Sequence, residues 1–519
     1  MADPLSQQED ILTAVLTVEE TLIFSASFYT ASEAEQKRRA DDAISLLGLE
    51  KQRQTPVGNI ILRGLSGGQR RRLSVGNELV AAPGILLLDE LTSGLDSTAA
   101  NSVMTSMQRV CKLRHTTMVV NIHQPAETLF KLADSLLLLS GGRVAYCGAA
   151  PGAVGYFTEK MQKPVPEMTS SSEYLLDLIN SDFTDPVVVN EILDAWPEIS
   201  EHTATLTHMI EAVKKDDGDP NVNNRTTDPI ENVLKQNVGV GFAHHTWVLT
   251  KRCFLNALRN PLVIWLRMFM YVALSLMIGT VWLRIGNKAD VVVDIVGVLF
   301  FVAAFMVFMS VSVLPAFLEE KAVFVRERAN GSYSVPAFVI AHTIVDVPFM
   351  ALQALVCGSI VYWLVGLNAA WDRFLFFLLD LFVSFMVAES IMLLVSAVVP
   401  VAIVGIALGA MIYGAFMIVQ GFFVKLENIG WWWRWMHWIG MHSYSFSAFM
   451  YNEFHGRHFD PAPDAAGGPQ PAIAGDVILA MYDFDGTDKW TNVAVLVVMA
   501  IIYRGIAAVF MYKYHTGKK

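Results

Sequence analysis

Six apolar stretches, near residues 262–284, 293–314, 337–365, 373–398, 401–423 and 491–513, govern what this chain can fold into. Each reaches the roughly 20 residues that a helix needs to cross a bilayer. In lipid only helices and closed barrels satisfy every backbone polar group. The preceding half is polar and charge-rich. Charged residues make up only 17% of the chain and hydrophobic ones 53%, against about 25% charged in a soluble norm, so the apolar excess belongs to the second half. A net charge of −11 with no basic stripe argues against a nucleic-acid partner. Cys111, Cys147, Cys253 and Cys357 are scattered singly, with neither metal-ligand spacing nor a disulfide framework. Residues 1–10 lack the charged and apolar regions of a signal peptide, so insertion is expected to rely on the internal helices.

Between Ile11 and Ala150 helical and strand-like patterns alternate, as in an α/β domain. Ala34 to Leu49 reads as a helix with Ala40, Ile44, Leu46 and Leu47 on its apolar face. Ile85 to Leu88 and Met118 to Ile122 read as buried parallel strands, and Ser135 to Leu139 as a third, turning at Gly141-Gly142 into Arg143 to Cys147. Two groups carry chemistry. Leu65-Ser66-Gly67-Gly68-Gln69 opens a helical run, where backbone N–H groups can grip an anion. Asp89-Glu90 follows a strand and is itself followed by Ser93-Gly94-Leu95-Asp96, while His123 ends the next strand. Carboxylates and a histidine so placed suit phosphoryl transfer, which is mostly positioning and charge stabilisation. Arg70-Arg71-Arg72 reads as a solvated helix face rather than a phosphate clamp.

These motifs, in this order, resemble an ATP-binding cassette. The resemblance makes Ser66, Gly67, Gly68 and Gln69 the signature loop that holds the γ-phosphate of ATP on an opposite subunit. It makes Asp89 the residue that organises Mg²⁺, Glu90 the general base, Asp96 part of the D-loop and His123 the switch histidine. Gln8 takes the place of the Mg²⁺-sensing glutamine, against the plain alternative of a solvated terminal side chain. Leu91 stands where most cassettes have proline, which puts the rigidity of that turn in question. No Gly-x-x-x-x-Gly-Lys-Ser/Thr loop occurs anywhere in the sequence. The nest that would hold the β- and γ-phosphates is thus missing, and the expectation is an incomplete gene model or a truncated isoform.

A cassette followed by six spans is the order of the G, or White, subfamily of half-transporters. The resulting fold class is an α/β partial cassette followed by an all-α six-helix transmembrane domain. The expected divisions are a cassette over 1–182, a polar linker over 183–241, an amphipathic connecting helix over 242–260 and a membrane domain over 261–519, with a large external loop at 425–490. Lys321, Arg326 and Arg328 between spans two and three, and Lys513, Lys518 and Lys519 after the last, place the cassette in the cytosol. The tryptophans from Trp431 to Trp438 fit an interfacial or re-entrant helix, or a simple aromatic belt.

The resemblance also assigns coupling to Glu320, Arg326 and Glu327, and a substrate path to Phe308, Phe422 and Phe423, with ordinary packing an open alternative for Phe308. Tyr451-Asn452-Glu453-Phe454 is similar to the subfamily's Asn-Glu-Phe motif. Glu389, costly in lipid, is expected to face the bundle interior. Implied partners are a second half-transporter (as homodimer or heterodimer), membrane lipids and a hydrophobic small molecule. The plasma membrane is favoured over an organelle membrane. Two functions follow: an exporter subunit driven by ATP and Mg²⁺, or a non-catalytic partner that donates its signature motif to a complete subunit's ATP site. A homodimer without phosphate loops would have no complete site.

Overall fold

A computed structural model describes residues 11–59, 62–114, 116–166, 169–199, 240–460 and 473–515. The chain forms two compact units, Met1–Val240 and Gly241–Lys519. Gln8 and most of the expected linker lie outside the described residues.

In the first unit, α1 (Val18–Ser27) begins at a reciprocal cap. Glu20 N donates to Thr17 Oγ1 at 3.2 Å, and Thr17 N donates to Glu20 Oε2 at 3.0 Å. The helix α2 (Glu33–Leu47) stops at Gly48 in the left-handed region. It buries Ala40, Ala43, Ile44 and Leu47 against α1 and α3 (Gly67–Leu79). Strand β1 (Ile85–Asp89), the crossover helix α4 (Ser97–Arg114) and the parallel strand β2 (Thr117–Asn121) follow. An antiparallel hairpin, β3 (Ser135–Ser140) with β4 (Arg143–Ala149), packs with α5 (Ser171–Ile179) around Tyr146, Phe157 and Tyr174.

Two expectations need correction. Among the described residues the parallel strands are covered on one face only. Leu86 is buried, but Ile85, Leu87 and Val119 are 62%, 74% and 56% exposed. Side chains alternate along a strand, and the described helices pack against the face carrying Leu86, Leu88, Met118 and Val120. Secondly, the stretch read as linker from residue 183 contains a helix, α6 (Pro186–Ile199). Its Val189, Ile192 and Leu193 recur at helical spacing and are buried beside Phe157.

In the second unit every described element is a helix except a two-residue antiparallel pair, His458–Phe459 with Ile473–Ala474. An amphipathic α7 (Phe242–Arg259) precedes α8 (Leu266–Val281), and a continuous helical run then extends over Ala289–Ala329. That run comprises α9 (Val292–Phe300), a π-helical turn at Phe301–Met306, a 3₁₀ turn at Met309–Val313 and α10 (Leu314–Ala329). The helices α11 (Val335–Val365) and α12 (Trp371–Val398) come next, then α13 (Ala402–Ile418). After them lie the short α14 (Arg434–Ile439), the buried α15 (Met441–Phe454), α16 (Gly475–Met481) and finally α17 (Lys489–Tyr514). Among the described residues four helical runs are long and apolar enough to cross a membrane: Ala289–Ala329, Val335–Val365, Trp371–Val398 and Lys489–Tyr514. The apolar α8 and α13 are shorter, at 16 and 17 residues. Helix α12 is the centre of the unit, burying Phe377, Leu381, Val387 and Ala388 among its neighbours.

Candidate functional site

The register Asp89↔Asn121 brings the carboxylate pair and His123 to the same edge of the parallel sheet. Ligands in α/β sheets bind beyond such carboxyl ends. Asn121 Nδ2 donates to Asp89 Oδ1 at 3.0 Å, and Glu90 N donates to Asn121 O at 3.0 Å. Asp89 and His123 are exposed and Glu90 is half-buried. Glu90 has a φ of 45°, a conformation uncommon for a residue with a side chain. Its turn is held from beneath. Buried Arg71 donates through Nε to Leu91 O at 3.1 Å and through Nη2 to Glu90 O at 3.0 Å. The turn that lacks proline is therefore pinned by a guanidinium.

Ser66 caps α3: its Oγ accepts from Gln69 N at 3.4 Å, and Gln69 Oε1 accepts from Ser66 N at 3.0 Å. Ser66 and Gly67 are exposed, so the start of α3 faces solvent. Gly68 is buried, and a Cβ there would sit 3.2 Å from the Ala99 Cβ. Only glycine lets the start of α3 pack so closely on α4. Asp96 in turn accepts from Ala99 N at 2.9 Å, capping α4. The structure thus gathers Asp89, Glu90 and His123 at one edge, and Ser66, Gly67, Gly68, Gln69 and Asp96 around the starts of two packed helices. Gln8 falls outside the described residues.

In the second unit, Glu320, Arg326 and Glu327 lie on α10. Glu327 pairs with Arg252 of α7, accepting from both guanidinium ends, and also from the Tyr333 hydroxyl. Burial opposes the charge on Arg252, but Glu327 outweighs it and holds the guanidinium pKa well above its ordinary value. Glu320 accepts from Asn256 Nδ2 and lies 2.8 Å from His342 Nε2. Arg326 is half-buried on the same helix.

The aromatic candidates lie along one column. Phe308 stacks on Phe305 at 6.0 Å and meets Tyr413 edge-on at 6.2 Å. Phe422 stacks on Phe300 at 4.4 Å and touches Phe423 at 4.9 Å, while Phe423 remains 61% exposed. Gly421, with φ of 104°, turns the chain so that this pair follows α13. Glu389 is buried and paired with Arg267 at 2.6 Å, so it faces the bundle interior as expected.

Residues 5–93 match the family model described as "ABC transporter", and residues 244–454 match "ABC-2 type transporter". The chain is 34% identical to "ABC transporter G family member 11" of Arabidopsis thaliana, across 96% of its own length and 72% of that protein. It belongs to the ABC transporter G family. It is likewise 32% identical to "ABC transporter G family member 1" of Petunia hybrida, across 96% of this chain and 77% of that one. Against the "Broad substrate specificity ATP-binding cassette transporter ABCG2" of Bos taurus the identity is 30%, across 96% and 79%. An ATP-binding cassette fold and a membrane-embedded helical domain come with G family membership.

Several G family residues here escaped the sequence reading. None of the three consecutive arginines is a solvated face: Arg70 donates to Gly58 O at 3.0 Å and Arg72 to Leu47 O at 2.8 Å, alongside the Arg71 contacts. Each tethers α3 to backbone that is distant in sequence. Arg267, Asp346 and Arg504 were also missed. Arg504 pairs with Asp346 at 3.1 Å and donates to Ser390 at 3.0 Å. A signal was present, since a buried intramembrane carboxylate such as Glu389 calls for a cation on another span. The Asn452-Glu453 motif proves to be a clasp: Glu453 accepts from Asn368 N at 3.1 Å and from Arg457, and Asn452 Oδ1 accepts from Lys489 at 2.9 Å.

Proposed function

We propose that this chain is a half-transporter subunit that couples ATP binding and hydrolysis to export of lipid-like or amphipathic small molecules, working as a dimer. The observation that carries the reading is the exposed start of α3, with Ser66 and Gly67 open to solvent in the same unit as the Asp89, Glu90 and His123 edge. A helix N-terminus suits a phosphate, and the donor set of Asp89 fits a hard cation such as Mg²⁺. In this reading Asp89 and Gln8 hold Mg²⁺, Glu90 polarises the attacking water and His123 meets the γ-phosphate. Ser66, Gly67, Gly68 and Gln69 serve the nucleotide of the partner subunit, and Asp96 borders it. Glu320, Arg326 and Glu327 carry motion into the membrane domain. The column from Phe300 to Phe423 supports an apolar substrate path. The cassette is cytosolic, and the plasma membrane is the favoured site. The partner is a second copy or another half-transporter.

The test is ATPase and lipid-analogue export by vesicles holding this chain with a family half-transporter that has an intact phosphate loop. With the partner's own catalytic carboxylate replaced by its amide, Glu90→Gln should lower the remaining turnover by about 10²–10⁴-fold, the usual contribution of a positioned base. A second reading, the non-catalytic partner, needs only the exposed start of α3, where Ser66 and Gly67 are open to a nucleotide held by another subunit. It is the correct one if Glu90→Gln is silent while a Ser66→Arg block at the start of α3 abolishes turnover. If neither change matters, the cassette assignment of these residues fails.

A further inference from the structure

No spacing in the sequence marks a metal site, yet among the described residues the fold assembles one candidate from three separate elements. Cys253 lies on α7, Glu320 on α10 and His342 on α11, and their Sγ, carboxylate and ring donor atoms all fall within 4.8 Å of one another. His342 Nε2 is 3.5 Å from Cys253 Sγ and 2.8 Å from Glu320 Oε2. The same ring nitrogen therefore faces both partners, although it carries at most one proton and can donate well to only one of them. Glu320's second oxygen is held by Asn256 Nδ2, which fixes the carboxylate's orientation.

We infer that Cys253, Glu320 and His342 form a binding site for a borderline divalent transition ion of the Zn²⁺ type. Zn–S of about 2.3 Å and Zn–N or Zn–O of about 2.0–2.2 Å give tetrahedral edges of about 3.3–3.6 Å. The S···N separation already has that value, and the N···O separation needs to open by about 0.5 Å to reach it. A mixed sulfur, nitrogen and oxygen set suits Zn²⁺ over Mg²⁺ or Ca²⁺. The charge also balances. The arginines nearby are committed elsewhere, Arg252 to Glu327, Arg267 to Glu389 and Arg504 to Asp346. A thiolate and the Glu320 carboxylate together neutralise a 2+ ion. The donors line a cavity of about 70 Å³ that also reaches Ala257, Phe317 and Asp346, leaving room for water at a fourth position. A bound ion would fasten α7, α10 and α11 to one another.

The test uses the full chain in nanodiscs, reduced, stripped with chelator and titrated with Co²⁺. One equivalent should bind with a thiolate-to-cobalt charge-transfer band that Zn²⁺ displaces. Cys253→Ser should abolish the band, and Cys111→Ser should leave it unchanged. Asn256→Ala should weaken Co²⁺ about 10–100-fold while retaining the band, as loss of an orienting partner does. In the unmodified chain, Zn²⁺ should protect the Cys253 peptide from alkylation, with chelator reversing the protection; this readout does not depend on any variant folding. Absence of a band, a band that survives Cys253→Ser, or Cys253 alkylation indifferent to Zn²⁺ overturns the site.

Discussion

Removing the charge of Glu327 should weaken the second unit more than any single surface change, and the structure supplies the size of the effect. The Arg252 and Glu327 side chains are only 10% and 18% exposed, and Glu327 accepts from both Arg252 and Tyr333. Breaking a fully buried pair costs about 3–5 kcal/mol, because the remaining charge is left without compensation. The partial exposure here brings Glu327→Gln down to about 2–3 kcal/mol. At about 2–4 °C per kcal/mol for a unit of this size, the temperature at which half the protein stays monodisperse should fall by about 5–10 °C. Arg252→Met alone should cost a similar amount. The double variant should cost clearly less than the sum of the two, with a coupling energy above about 1.5 kcal/mol. Additivity within about 0.5 kcal/mol would refute the claim that these residues act as a pair.

Arg71→Met should destabilise the first unit by about 2 kcal/mol, since it strips a charged donor from one buried and one half-buried carbonyl. Arg71→Lys should recover only part of this, because an ammonium cannot bridge both with a fixed fork; differential scanning fluorimetry reads both. Leu87→Lys, at a 74% exposed position, should change stability by less than about 0.5 kcal/mol and raise the temperature at which light scattering begins. A large loss would mean that the face is covered in solution. Hydrogen bonds from Arg38 and then Arg39 lower the Glu35 pKa from the ordinary carboxylate value to about 2. The folded pKa is depressed, so its stabilisation is complete above the unfolded value and disappears as pH falls through about 2. Acid unfolding of Glu35→Gln should lack that component, and an unchanged acid limb would exclude Glu35 as its source.

Local signals explain what could be read from the sequence. The helix expected from Phe242 to Arg259 is α7, and the strand expected at Met118 to Ile122 is β2, shifted by one residue. Apolar period and caps lie within a few residues of each such element. Arg70, Arg71 and Arg72 were misread because their acceptors, at Gly58, Glu90, Leu91 and Leu47, come close only after α3 has docked. The π-turn at Phe301–Met306 interrupts a run whose hydrophobicity is continuous, so no composition change marks it. Burial of β1 was over-read because a run of four apolar residues does not say how many faces are covered. Asp89, Glu90 and His123 were legible as candidates because each sits beside a strand end. The Cys253, Glu320 and His342 group was invisible, since its members are separated by tens of residues.

One end of α10 has a mechanical consequence. Lys321 donates to Ser396 O at 2.6 Å and Val399 O at 3.0 Å, at the last turn of α12. Two turns further on, Arg328 donates to Met511 O at 2.6 Å, His515 O at 2.9 Å and Tyr512 O at 3.0 Å, at the last turn of α17. The last carbonyls of a helix are short of donors from their own chain, so these two cations complete the ends of two neighbours, Met511 O accepting from His515 N as well. Sliding α10 by itself would break five hydrogen bonds at once. Small displacements of α10 are therefore shared by all three helix ends, and larger ones demand that the whole set of contacts be exchanged together. Such an end passes its load on to both neighbours at once, and does not yield alone.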